Sequence, residues 1–195
     1  MKAFKKFVED SGAYGPPVSI SKKPVFRSSA IFPVIEKENF HSRILFMGYW
    51  ILKREILEIG LSYTLRDEHG VILTRKVSTI NSPKAFTVYV KDLLPNDLKN
   101  AQFIGSLELE VFSARDMGFP YPAFVLEYIN DSFSTCVHTT GRVYNDIEDF
   151  DDNNDFTVAE SGFDIYGGTQ FDSFISFVNG PLSNSNTIPY EVINY

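Results

Sequence analysis

EIGLSYTLRDEHGVILTRKVSTI, residues 58–80, decides the fold class. Its first half alternates with a period of two. Ile59, Leu61, Tyr63 and Leu65 point one way, and Gly60, Ser62, Thr64 and Arg66 point the other. That period places alternate residues on opposite faces of a strand. The DEHG that follows carries the Asx and Gly chemistry of a tight turn, so the stretch predicts a β-hairpin.

The pattern repeats outward from this hairpin. AFTVYVK (85–91) alternates with Phe86, Val88 and Val90 inward, and SLELEVF (106–112) sets Leu107, Leu109 and Val111 against a core with Glu108 and Glu110 toward water. RILFMGYWI (43–51), AFVLEYI (123–129) and FSTCVHTT (133–140) complete a series of short strands, the last two separated by an NDS turn. DLLPNDLKNAQ (92–102) is a polar connection with room for one helical turn. No helical pattern of 10–15 residues lies between strands to support parallel crossovers. The expected fold is all-β, an antiparallel β-sandwich or flattened barrel. Its expected core includes Leu61, Tyr63, Phe86, Val88, Leu107, Leu109, Val111 and Leu126.

The organisation expected along the chain is an extended N-terminal arm over 1–40, a sandwich over 41–165 and a C-terminal strand pair over 166–195. Gly15, Pro16, Pro17 and Pro24 break the arm repeatedly and bias it toward extended conformations. FHSRILFMGYW (40–50) and FDSFISFVNGP (171–181) match at Phe, Ser, Ile and Phe. The match reads as the start of a second repeat, with 171–195 pairing as strands on a sheet or across a homodimer.

Composition excludes several function classes. The 195 residues carry a formal net charge of -7, yet no Lys or Arg follows Arg142 while ten acids do. No basic stripe exists for nucleic acid. A single cysteine, Cys136, excludes an internal disulfide and any multi-cysteine zinc site. MKAFKKFVEDSG lacks the apolar segment of a secretory signal, and no apolar run reaches membrane-span length. The expectation is a cytoplasmic protein without a membrane partner.

Phosphate-cradling loops, a G-x-S-x-G elbow and an H-E-x-x-H helix are all missing from the sequence. Cys136 and His138 share a strand face, but residues two apart stand roughly 6.5 Å from each other, too far for a nucleophile and its base. A zinc site using His41 and His138 has still less support. The sequence therefore reads as non-enzymatic, an interaction or assembly module working through a protein partner or self-association. The rival reading is a carbohydrate-binding module. Its aromatic candidates are Trp50, beside Tyr49, and Phe119 and Tyr121 in the stiff FPYP segment.

One acidic stretch, DIEDFDDNNDFTVAE (146–160), has cation-ligand spacing. Asp149, Asp151, Asn153, Thr157 and Glu160 fall at positions 1, 3, 5, 9 and 12, with Asp155 between them, and over these twelve residues the loop resembles that of an EF-hand. The resemblance implies calcium as the ion. Asn154 stands where that loop has Gly, and the flanks TTGRVYND and SGFDIYGG do not read as helices. Extended neighbours about 7 Å apart repel by only about 0.6 kcal/mol per pair in water, so a solvated loop needs no cation. The expectation is an exposed loop and no cofactor, with no heat of calcium binding in calorimetry.

Overall fold

The structure, a computed structural model, describes residues 27–115, 123–138, 142–143, 173–176, 178 and 191. The chain divides into two units, Met1–Phe163 and Asp164–Tyr195. Among the described residues of the first unit, nine strands form two antiparallel sheets. They are β1 (Arg27–Glu36), β2 (His41–Met47), β3 (Ile59–Asp67), β4 (Ile72–Ile80), β5 (Ala85–Tyr89), β6 (Phe103–Phe112), β7 (Val125–Ile129), β8 (Ser134–His138) and β9 (Arg142–Val143). One sheet runs β4-β3-β6-β1-β9 and the other β5-β2-β7-β8. A six-residue helix, α1 (Tyr49–Arg54), and a 3-10 turn, Val90–Asp92, are the helical elements described. Neither is long and apolar enough to cross a membrane. This is the all-β sandwich that the alternation predicts.

The turns form for the reasons their residues supply. At the β3–β4 turn the Asp67 carboxylate accepts the amides of His69 and Val71 at 2.9 and 2.8 Å, and Gly70 takes a φ of +81°. At the β7–β8 turn the Asn130 side chain accepts the amides of Ser132 and Phe133, both at 2.8 Å. These are Asx turns, in which a side chain mimics a backbone acceptor. Between β1 and β2 the chain changes sheets. There the Ser42 hydroxyl accepts from the Ile35 amide at 2.9 Å and donates to its carbonyl at 2.8 Å, replacing ladder bonds lost at the corner.

The core holds Leu61, Tyr63, Leu107, Leu109, Val111 and Leu126 as expected, with Phe86 and Val88 half-buried against it. Ala30, Phe32 and Val34 of β1 join them. That corrects the boundary of the N-terminal arm, because residues 27–36 form β1 within the five-stranded sheet. Among the described residues β9 pairs with Ser28 and Ser29, and Pro33 has no partner on that side.

Two further expectations give way. RILFMGYWI is not one strand: β2 ends at Met47 and α1 starts at Tyr49. Gly48 makes the break, since a Cβ there would collide with the Ser82 carbonyl oxygen, which closes on the backbone. Glu108 and Glu110 do not face water. Both are buried, Glu108 against Arg66 at 2.8 Å and Glu110 against Arg27. Their row continues into Ser62 and Thr64 of β3, also buried. The outer face of this sheet is a seam of paired charges and hydroxyls, which satisfies the rule that buried charges need partners.

In the second unit, residues 173–176, 178 and 191 belong to no strand, and Phe174, Ile175 and Val178 are exposed. The stretch matching it in the first unit forms β2. The remainder of the expected C-terminal strand pair lies outside the described residues.

Candidate binding cleft and sheet edge

Two features of the four-stranded sheet stand out. The first is a cleft of about 430 Å³ at one end of the outer face. Its walls come from five separate segments. They include Glu36 at the end of β1, His41 and Arg43 on β2, Tyr89 on β5, and Asp92 and Asp131 on the adjoining turns. The antiparallel register explains part of this gathering. Arg43 lies opposite Tyr89 on one side and Glu127 on the other, so the three side chains form one row across the sheet.

Within that row Arg43 is engaged on both sides. Its Nε donates to Glu127, its Nη1 donates to the Tyr89 hydroxyl at 3.2 Å, and its guanidinium lies 5.7 Å from the centre of the Tyr89 ring. The bond donated to Glu127 chiefly, then that donated to Tyr89, raises the Arg43 pKa further above its already high range. The same bond holds the Glu127 carboxyl below the usual carboxylate range, against the opposing effect of burial. At the floor, buried Glu36 accepts the Ser42 amide at 3.0 Å and contacts His41 Nδ1 at 2.9 Å. Tyr89 remains 45% exposed. The cleft thus offers an aromatic ring, acids and bases together, with a fixed Arg43.

The second feature is the edge strand β8. Among the described residues it pairs only with β7, and every residue from Ser134 to His138 is exposed. Val137 sits opposite Leu126, which is fully buried, yet is itself 49% exposed. Phe133, just before the strand, is 53% exposed. The inner face of β8 therefore overhangs the core. STCVH also carries no Lys, Arg, Asp, Glu or Pro. The other long edges are guarded: β4 contains Arg75 and Lys76, and β5 is flanked by Pro83, Lys84 and Lys91. Charges and prolines at edges oppose strand addition, and β8 lacks them.

Of the aromatic site candidates, Trp50 lies in the core. It is 1% exposed and stacks on Tyr49 with ring centres 4.4 Å apart, so it presents no ring to a ligand. Its place on α1 rather than on a strand turns the indole inward. Phe119 and Tyr121 lie outside the described residues, as do the calcium-loop candidates Asp149, Asp151, Asn153, Asp155 and Glu160. Among the described residues no group of three or more His, Cys, Asp or Glu is placed to hold a metal ion. His41 and His138 fall on different rows of the sheet, opposite Ile129 and Val125. Cys136 and His138 share the exposed outer face of β8.

Sequence reasoning missed Tyr89 and Arg43 as cleft residues. The sole available signal was the exposed phase of the AFTVY alternation, which sets Tyr89 outward. Comparison of the chain with protein-family models, curated proteins and solved structures gives no match.

Proposed function

We propose that this chain is a non-enzymatic interaction module, and that a protein partner adds a strand to the four-stranded sheet at β8. The observation that carries this reading is the exposed, uncharged β8, where the other long edges, β4 and β5, contain or are flanked by charged residues and proline. Strand addition draws affinity from main-chain hydrogen bonds and specificity from alternate side chains. On β8 those are Thr135 and Val137 on the inner face and Ser134, Cys136 and His138 on the outer one.

The test is to pan a displayed library of random peptides against the full chain, with Val137→Lys as the counter-selection. Extended, β-branched peptides that bind the wild type and lose at least tenfold in affinity to the variant are expected. A library that yields no such peptides overturns the reading.

A second reading has its own support. The cleft sets the exposed Tyr89 ring among acids and bases whose charges nearly cancel, which suits a neutral polyhydroxylated ligand such as a saccharide, stacked on the ring. A glycan array probed with wild type and Tyr89→Ala, with and without calcium, tests it. Specific binding lost in the variant would favour this reading over the first.

A further inference from the structure

We propose that the strand added at β8 is β8 of a second copy of this chain, the two copies related by a two-fold axis at Cys136. This rests on the reading of β8 as an interaction edge and names its partner. An antiparallel pairing that uses all five residues of both strands has one register. In it Ser134 lies opposite His138 of the second copy, Thr135 opposite its Val137, and Cys136 opposite its Cys136. A two-fold axis makes each of these contacts occur twice, apart from the central one.

Each contact in this register is compatible. Thr135 and Val137 share the inner face of β8, so the axis creates two β-branched Thr–Val pairs beside the exposed Val137, a favourable cross-strand combination. Ser134 and His138 meet on the outer face, a hydroxyl beside an imidazole. No formal charge faces another. That matters for a chain of net charge -7, because two copies repel wherever their acids approach.

The nearest acid in the sheet is Glu127, directly across β7 from Cys136, and its carboxylate is held by Arg43. In the paired sheet the two copies of Glu127 stand three strand spacings apart, about 14 Å. That exceeds the screening length of about 8 Å at physiological salt. Pairing through β4 instead would bring Arg75 and Lys76 into the contact, and pairing through β5 would place Pro83, Lys84 and Lys91 at its ends. Of the long edges, β8 is the one that meets its own copy without opposition. The product is a continuous eight-stranded sheet, β5-β2-β7-β8 joined to its two-fold image.

The full chain tests this directly. Light scattering over a range of concentrations should give the mass of a dimer. Mild oxidation with diamide should join the two Cys136 thiols into a disulfide, seen as a covalent dimer on a non-reducing gel, with diamide reduced to its hydrazine. Cys136→Ser should keep the dimer mass and lose the covalent band. Val137→Lys, a change at an exposed position, should weaken the dimer at least tenfold with an unchanged circular dichroism spectrum. A chain that stays monomeric at every concentration overturns the proposal. So does a dimer indifferent to Val137→Lys, or one whose thiols resist cross-linking. A monomer that still selects peptides through β8 would sink the second copy and leave the interaction reading standing. A monomer that selects none would sink both.

Discussion

The Tyr128 hydroxyl donates a hydrogen bond of 2.8 Å to the Pro33 carbonyl, 95 residues away in sequence. Tyr128 belongs to β7 of one sheet and Pro33 to β1 of the other, so this bond crosses the sandwich. Tyr128 also stacks on Phe40, with ring centres 5.7 Å apart, beneath the β1–β2 corner. Tyr128→Phe keeps the ring and removes the donor, leaving the Pro33 carbonyl without that partner. A loss of about 1 kcal/mol is expected, measured as a lower urea midpoint with an unchanged slope.

Burial pushes the phenols of Tyr49, Tyr63 and Tyr128 up, Tyr49 to about 12. A raised folded value means that the native state holds the neutral phenol more tightly than the unfolded chain does. The associated stability is complete below the unfolded value of about 10 and is lost as pH rises through the folded values. A phenolate absorbance titration should therefore show a late fraction, which Tyr49→Phe reduces. Titration of every tyrosine near pH 10 in the folded protein would contradict this.

Glu127 behaves oppositely. Its lowered folded pKa, set first by the Arg43 hydrogen bond, gives stability that is present above the unfolded glutamate value of about 4.3 and lost as pH falls through the folded one. Glu127→Gln should destabilise the protein by about 1.5–3 kcal/mol at neutral pH. The difference from wild type should shrink on acidification below pH 4, as followed by denaturation at each pH. A pH-independent difference would contradict the assignment.

Trp50 and Tyr89 should separate cleanly. Trp50→Ala empties a fully buried site and should cost about 3–5 kcal/mol. Tyr89→Ala removes an exposed ring and should leave the melting temperature within a few degrees of wild type. Equal effects in a thermal scan would mean that Tyr89 is structural.

Gly105→Ala tests backbone closeness on β6. A Cβ at Gly105 would collide with the Arg66 carbonyl oxygen and come within 2.6 Å of the Phe103 ring. The clash is with the backbone of β3, which cannot rotate away, so a loss of about 1–3 kcal/mol is expected. Gly70→Ala at the exposed turn meets no atom and costs only the strain of its positive φ. Denaturation of the two variants side by side checks the order.

The hairpins were legible because local chemistry dictates them. The alternation of 58–66, the Asp67 turn and the Asn130 turn each act within a few residues. β1 was illegible because the breaks at Gly15, Pro16, Pro17 and Pro24 mark the region before it as an arm, and its membership in the sheet comes from β6, far along the chain. Glu108 and Glu110 illustrate a deeper limit. Alternation assigns them to the outer face, but the arginines that let them be buried there come from other strands, Arg27 lying 83 residues from Glu110. The cleft was hidden for the same reason, since Glu36, Arg43, Tyr89 and Asp131 share no local pattern.

The position of β6 between β1 and β3 has a consequence for how the protein is made. β1 joins β3 and β4 in the sheet by pairing with β6, from Glu36 opposite Phe103 to Arg27 opposite Phe112. On a ribosome, β1 emerges and then waits roughly 3 to 13 s for β6, at ordinary rates of elongation. During that interval β3 and β4 can already close their local hairpin, but β1, with Ala30, Phe32 and Val34, lacks its long ladder partner. A nascent chain of this protein therefore displays an apolar strand for seconds before the sheet can seal. That makes the N-terminal half the stretch most exposed during synthesis, and a translational pause before residue 103 would prolong that exposure.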